Sequence, residues 1–222
     1  MPRRIDLEQR KAQLAEAVWR TILERGIGAV SVRTVADAAG IAVGSLRHVF
    51  PTRTELLSFS AELMVQRATD RIVAAPRSGD PERDAVALLS HLLPLEPDSR
   101  AELEVNIALI AEAPATPELV PIRDQAARAI LGLCRRLVES LAPGLPATRA
   151  ALESRRLHAL LDGLALHILA ETETESADAE APDPRDWAVR ILREEIARIA
   201  TLGDVRAEST GAATRPESTT RR

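Results

Sequence analysis

The chain has 222 residues, 45% hydrophobic, 28% charged and 2% aromatic, with 14 Pro and 10 Gly. That balance excludes collagen-like, low-complexity and disordered chains, and with no Tyr and two each of Trp and Phe the core must be Leu, Ala, Val and Ile, which favours helices over sheets. The formal net charge of −4 divides unevenly: residues 1–57 hold nine Arg or Lys against six Asp or Glu, and residues 58–222 hold 20 against 27. A basic segment joined to an acidic body is the distribution expected of a DNA reader with a separate control domain.

The first helix is expected from Asp6 to Arg25, where Leu7, Leu14, Val18, Trp19 and Ile22 recur at helical spacing before Gly26. Ser31 precedes a second helix, Val32 to Ala39, with Val32, Val35, Ala36 and Ala39 as its buried stripe. Gly40 stands where a tight turn between short helices needs positive φ. A third helix follows from about Ala42 to Val49, anchored by Leu46 and Phe50. Gly44 inside it costs about 1 kcal/mol relative to Ala, which leaves two readings: close approach to a neighbouring helix or DNA, or a permissive surface position. Two short helices packed on a longer one form a helix-turn-helix whose last member enters a major groove.

The connector helix is expected from Leu56 to Ala75, before Pro76. Residues 77–83 read as a loop, followed by helices over Asp84–Leu93, Ser99–Ala113, Glu118–Leu141 and Leu152–Glu171, and a last one from Pro184. The fold class is therefore all-α, about nine helices: a helix-turn-helix DNA-binding domain over 1–55, a ligand-binding and dimerisation domain over 56–203, and a tail over 204–222 expected to be disordered. No run reaches 18 uncharged apolar residues and the N-terminus lacks an export pattern, so a cytoplasmic protein without a membrane partner is expected. Cys134 is alone, which points to buried packing rather than a disulfide or thiol chemistry. His48, His91, His158 and His167 form no metal-spaced motif and no glycine-rich phosphate loop is present, so neither metal, cofactor nor enzymatic activity is expected.

From Arg10 to Leu57 the order Ala15, Trp19, Gly26, Ser31, Val32, Val35, Ala36, Ala39, Gly40, Ile41, Gly44, Leu46, Phe50, Thr52, Arg53 and Leu56–Leu57 resembles the tetracycline-repressor, or TetR, family of bacterial transcription regulators. The stretch Arg47-His48-Val49-Phe50 and the later Asp162-Gly163-Leu164-Ala165-Leu166 look most like its betaine-pathway, BetI-like repressor branch. Three positions depart from the pattern: Ala42 where Ser or Thr is usual, Arg47 in place of Tyr, and Val49 in place of Tyr or His. The first removes a cap worth roughly 0.5–2 kcal/mol, and the others bear on which operator is read.

The resemblance implies a homodimeric repressor of double-stranded DNA, released from a palindromic operator by a small-molecule effector. The same contacts serve a transcriptional activator or dual regulator, and a helical ligand-binding dimer without DNA is a further alternative. Base reading is expected on the outer face of the third helix, from Val43, Ser45, Arg47 and His48, with Gly44 allowing close approach to DNA and a backbone contact favoured over a base contact for His48. Phosphate contacts are expected from Arg33, Thr34, Thr52 and Arg53 and from the tail residues Arg3, Arg4, Arg10 and Lys11. Ser31 has two roles open, a cap alone or a cap that also meets a phosphate, and Arg3 and Arg4 are either a minor-groove arm or a solvated terminus.

Polar residues set among apolar ones are the candidates for the effector: His91, Glu104, Asn106, Arg123, Gln125, Asp162 and His167, each with a structural or solvent-facing role as its alternative. The scarcity of rings argues against a choline-type cation cage and favours an uncharged or mostly aliphatic ligand. The dimer interface is expected from the apolar stripes of the last two helices: Leu157, Leu161, Leu164, Ile168, Trp187 and Ile191. Gly163 and Ala165 suit either close helix approach or internal packing.

Overall fold

A computed structural model describes residues 2–171 and 183–211, except the side chains of 2–6, 184 and 204–211. Among these residues the chain forms nine α-helices and no strand: α1 Pro2–Arg25, α2 Val32–Ala39, α3 Val43–Val49, α4 Arg53–Ala74, α5 Pro81–Ser90, α6 Pro97–Glu112, α7 Val120–Leu141, α8 Ala147–Ala170 and α9 Pro184–Gly211. Short 3-10 turns at Ile27–Ala29 and Pro117–Leu119 precede α2 and α7.

Several helices begin earlier than the apolar periodicity suggests, because a proline interrupts a helix interior but suits its first turn, where no intrahelical N–H is needed. The loop expected over 77–83 therefore gives way at Pro81, with the Asp80 carboxylate accepting from the N–H groups of Glu82 and Arg83. Likewise α6 starts at Pro97, where the Ser99 hydroxyl accepts from the Glu96 N–H at 3.1 Å. At the far end α9 continues past residue 203, into the stretch expected as tail; residues 212–222 lie outside the described residues.

Two buried clusters divide the molecule. The first joins Leu14, Val18 and Ile22 of α1, Val35 and Ala36 of α2, Leu46 of α3 and Leu56, Leu57 and Met64 of α4 with Val105, Leu109 and Ala113 of α6. The reader's core is thus completed by a helix of the body. The second cluster joins α5, α7, α8 and α9 through Leu88, Leu89, Leu137, Val138, Leu157, Leu161, Leu164, Ile168, Leu192, Ile196 and Ile199. α9 comes so close to the end of α7 that a Cβ on Gly203 would lie 3.0 Å from the Ala142 Cα.

Charge is also buried between α8 and α9. Glu153 and Glu195 are 1% and 8% exposed, and the Arg198 guanidinium donates to both. Arg149 reaches Glu153 at 2.8 Å and Arg156 reaches Glu195 at 3.2 Å. Hydrogen bonding from Arg198 holds the Glu195 carboxyl below the usual carboxylate range, against the opposing effect of burial. Cys134 packs inside the body as expected, and burial pushes its thiol up to about 12.

Candidate nucleic-acid interface and internal cavity

The start of α2 is fixed by a reciprocal cap. The Ser31 hydroxyl accepts from the Thr34 N–H at 3.1 Å, and the Thr34 hydroxyl accepts from the Ser31 N–H at 2.9 Å while donating to the Ala29 carbonyl at 2.7 Å. Thr34, expected to touch phosphate, therefore has its hydroxyl committed to the cap. At the other end Gly40 takes φ 67°, donating its N–H to Ala36 and Asp37, and Ile41 donates to the Ala36 carbonyl at 3.0 Å. This left-handed turn aims α3 away from α2. Arg20 of α1 ties down the same end through the Ala38 carbonyl at 2.9 Å.

Leu46, fully buried, and Phe50, 5% exposed, anchor α3, with the Phe50 ring 5.2 Å from that of Phe59. As the missing hydroxyl implies, Ala42 caps α3 without a side-chain hydrogen bond. The opposite face exposes Gly44, Ser45, Arg47 and His48, and none of these makes a side-chain hydrogen bond or ion pair with another described residue. A Cβ on Gly44 would meet nothing within 4 Å, which removes a neighbouring helix as the reason for glycine there. Val43 is half-buried and packs on the reader's core.

Arg33 is exposed in the first turn of α2, and Thr52 is exposed while capping α4 through the Glu55 N–H at 3.1 Å. Lys11 is half-buried, its ammonium 5.6 Å over the Phe59 ring and 3.3 Å from Glu8. Arg3 and Arg4 fall in the first turn of α1, and their side chains lie outside the described residues. Arg53 corrects the expected set: its guanidinium turns inward, to the carbonyls of Val30 and Ile27 and the carboxylate of Glu112. No pattern in sequence marks that, because Glu112 is 59 residues away.

A cavity of about 280 Å³ opens between α4, α6, α7 and α8, with Met64, Ala68, Ile72, Leu103, Ile130, Leu133 and Leu161 in its walls and no Phe, Tyr or Trp among its lining residues. Of the expected effector residues, His91, Asn106 and Asp162 line it, and Arg123 borders a smaller adjoining space while paired with Asp124 at 2.7 Å. Glu104 instead pairs with Arg100 at 3.5 Å, and Glu104, Gln125 and His167 are exposed and lie outside the cavity lining. Periodicity placed all of these on helices, but only packing decides which helix face meets the cavity. Arg71, Glu102 and Arg136 were missed as lining residues. Arg71 and Glu102 form a two-point ion pair at 2.6 and 2.5 Å, and the Glu102 hydrogen bond raises the arginine's pKa. On the other side of that pair runs an open groove of about 850 Å³ between α1 and the body, lined by Trp19, Leu23 and Arg185 among others.

The expected dimer residues need the larger correction. Leu157, Leu161, Leu164 and Ile168 are at most 5% exposed and lie in the chain's own core, with Trp187 half-buried against it. The most apolar stripe of α8 is consumed by α7 and α9, so it cannot also serve a partner. What faces outward is a different stripe of α8, Leu152 at 57% and Leu166 at 54% exposure with Ala159 between them, together with Ile191 of α9 at 37%, the one expected dimer residue that is exposed. A Cβ on Gly163, on the same side of α8, would meet nothing, whereas Ala165 is buried and lines the cavity.

No described helix is long and apolar enough to cross a membrane, and no group of three potential metal ligands occurs among the described residues. The family model for bacterial regulatory proteins of the tetR family matches residues 14–58, and that for the C-terminal domain of BetI-type transcriptional repressors matches residues 81–201. The HTH-type transcriptional regulator PksA of Bacillus subtilis (strain 168) is 38% identical over 173 residues, covering 76% of this chain and 83% of that protein. A transcriptional regulator from Rhodococcus sp. Rha1 superposes with a TM-score of 0.70 at 28% identity, covering 86% of this chain and 96% of its own. A regulator from Saccharomonospora viridis, solved in complex with choline, shares the fold with a TM-score of 0.66 at 22% identity, covering 86% of this chain and 96% of its own. With its reader and its body both matched, this chain belongs to the TetR family of bacterial transcription regulators, with a BetI-type C-terminal domain.

Proposed function

We propose that the chain acts as a homodimeric repressor that reads a palindromic operator through the outer face of α3 and is released by an effector held in the 280 Å³ cavity. The observation that carries the DNA reading is the free face of α3: Ser45, Arg47 and His48 are exposed without side-chain partners among the described residues, and Arg33 is exposed in the first turn of α2. Arg47 has the donor fork that guanine O6 and N7 accept, and Ser45 donates or accepts. Arg33 and Thr52 serve as phosphate contacts.

A single reader meets one half-site, and a palindrome needs two, about 34–36 Å apart or a multiple of that spacing. The outward stripe of Leu152, Ala159, Gly163 and Leu166 with Ile191 supports pairing of α8 and α9 across a two-fold axis. Because the cavity lining has no Trp, Tyr or Phe, a quaternary ammonium would lack the aromatic faces that stabilise it. Its aliphatic walls carry Asn106 and His91 together with two cations, Arg71 and Arg136, and two carboxylates, Glu102 and Asp162, so the formal charges of the lining balance and suit an effector without net charge that is largely aliphatic. Such a ligand releases DNA only if it binds the arrangement with misaligned readers more tightly.

The test is titration of the purified protein with duplexes from its own gene neighbourhood and with scrambled duplexes, at several salt concentrations. Sequence-dependent binding that weakens with salt and is lost when Arg47→Ala and His48→Ala are combined is expected. Equal affinity for every duplex, or none at low salt, would overturn the assignment of α3 as an operator reader.

A further inference from the structure

The grip on Arg53 has no part in the reading above. Arg53 is the first residue of α4, and its three nitrogens reach three acceptors on two separate segments: Nε donates to the Val30 carbonyl at 2.9 Å, Nη2 to the Ile27 carbonyl at 3.2 Å and Nη1 to the Glu112 carboxylate at 2.9 Å. Ile27 and Val30 bracket the turn that runs directly into Ser31, the cap of α2. Glu112 is the last residue of α6, whose earlier residues Ser99, Glu102, Leu103 and Asn106 line the cavity. The same Glu112 oxygen accepts from the buried Thr116 hydroxyl at 3.2 Å, which ties it to the corner leading into α7.

A side chain used for phosphate leaves its donors toward solvent, and this one spends them on the protein. Its charge is matched by a carboxylate of the body rather than by DNA. Arginine is required for the arrangement: a lysine carries one nitrogen on a flexible stem and cannot span three acceptors on two segments in a fixed plane. We propose that Arg53 is a positioning residue for operator recognition, and that through Glu112 it fixes the 27–30 turn and hence the placement of α2 and α3. The last residue of α6 is then the point at which the cavity-bearing body holds the reader. The affinity readout rests on the DNA-reading assignment above, and the structural readout does not.

The variants are Arg53→Lys, Arg53→Ala and Glu112→Gln in the full chain, with folding checked by helical circular dichroism and thermal melting. Operator affinity is measured over a range of salt, and amide hydrogen exchange at residues 29–35 is measured without DNA. Both Arg53→Lys and Glu112→Gln are expected to weaken operator binding about tenfold, the effect of losing one charge-assisted hydrogen bond, with the salt slope unchanged. Exchange at the amides of Ala29, Val30 and Val35 should quicken in both. The Glu112→Gln result is the sharper, since removing a negative charge from a DNA-binding protein would by electrostatics alone tighten binding. The proposal is overturned if Arg53→Lys binds like the wild type while Arg53→Ala lowers the salt slope by about 0.9, the signature of one lost phosphate contact. It is equally overturned if Glu112→Gln leaves the exchange at 29–35 unaltered. Failure of the wild-type chain to bind any duplex would reject the operator reading, and the exchange measurement would still decide the role of Arg53.

Discussion

The reader and the body hold their shapes by opposite means. In the reader, α2 has eight residues and α3 seven, too few to persist as isolated helices, and besides their packing on α1 and α4 they are set in place by short-range devices: the Ser31–Thr34 cap and the left-handed Gly40. In the body, α7, α8 and α9 have 22, 24 and 28 residues and are held by one another, with Leu157, Leu192, Ile196 and Ile199 fully buried and the charges of Glu153, Glu195 and Arg198 enclosed between helices. The difference teaches where information resides: a cap or a turn is written in adjacent residues, whereas a packed face is written in residues that only the finished fold brings together.

The comparison breaks most strongly at Leu157. If the body lives by packing, Leu157→Ala lowers its stability by roughly 2–5 kcal/mol through lost contacts and the cavity left behind. Leu166→Glu, on the outward side of the same helix, should change unfolding by no more than about 0.5 kcal/mol when association is held out of the measurement, yet raise the dimer dissociation constant. Urea unfolding at low protein concentration and sedimentation across a concentration range separate the two. A Leu157→Ala chain that loses association without losing stability would restore that face to the interface.

Next in size is Arg198→Met, which strands two nearly buried carboxylates with only Arg149 and Arg156 as partial partners and should cost about 3 kcal/mol. The pH dependence has a definite sign. Because the folded chain holds Glu195 below its ordinary pKa, its contribution is present above the unfolded value and is lost as pH falls through the folded one. Unfolding midpoints taken from neutral pH downward should fall steeply in the wild type below the ordinary carboxylate range, and less steeply in Arg198→Met. Equal slopes would mean that the network adds no pH-linked stability.

The same contrast explains what was legible. The bounds of α2 and the roles of Ser31, Gly40, Leu46 and Phe50 follow from neighbouring residues, and all are as the sequence implies. The inward turn of Arg53, the Arg71–Glu102 pair and the burial of Leu157 depend on helices tens of residues away, so periodicity named the helices without saying which face looks inward. Gly40 tests the local half of the comparison. With φ at 67°, Gly40→Ala should cost about 1–2 kcal/mol and weaken operator binding, while hydrogen exchange in α8 and α9 stays as it was.

The smallest effect bears on whether local devices also choose what α3 reads. Ala42 has the extended backbone of a helix cap, φ −67° and ψ 140°, but no side chain to fill the role, and it is exposed. Ala42→Ser should supply an acceptor for the N–H of Gly44 or Ser45 and stabilise the reader by about 0.5–1 kcal/mol, read as a higher unfolding midpoint. α3 is already anchored by Leu46 and Phe50 and aimed by Gly40, so its added cap should leave the ranking of operator variants unchanged. A changed ranking would show that the cap reorients α3. Specificity would then depend on the first turn of the helix as well as on the exposed side chains of Arg47 and His48.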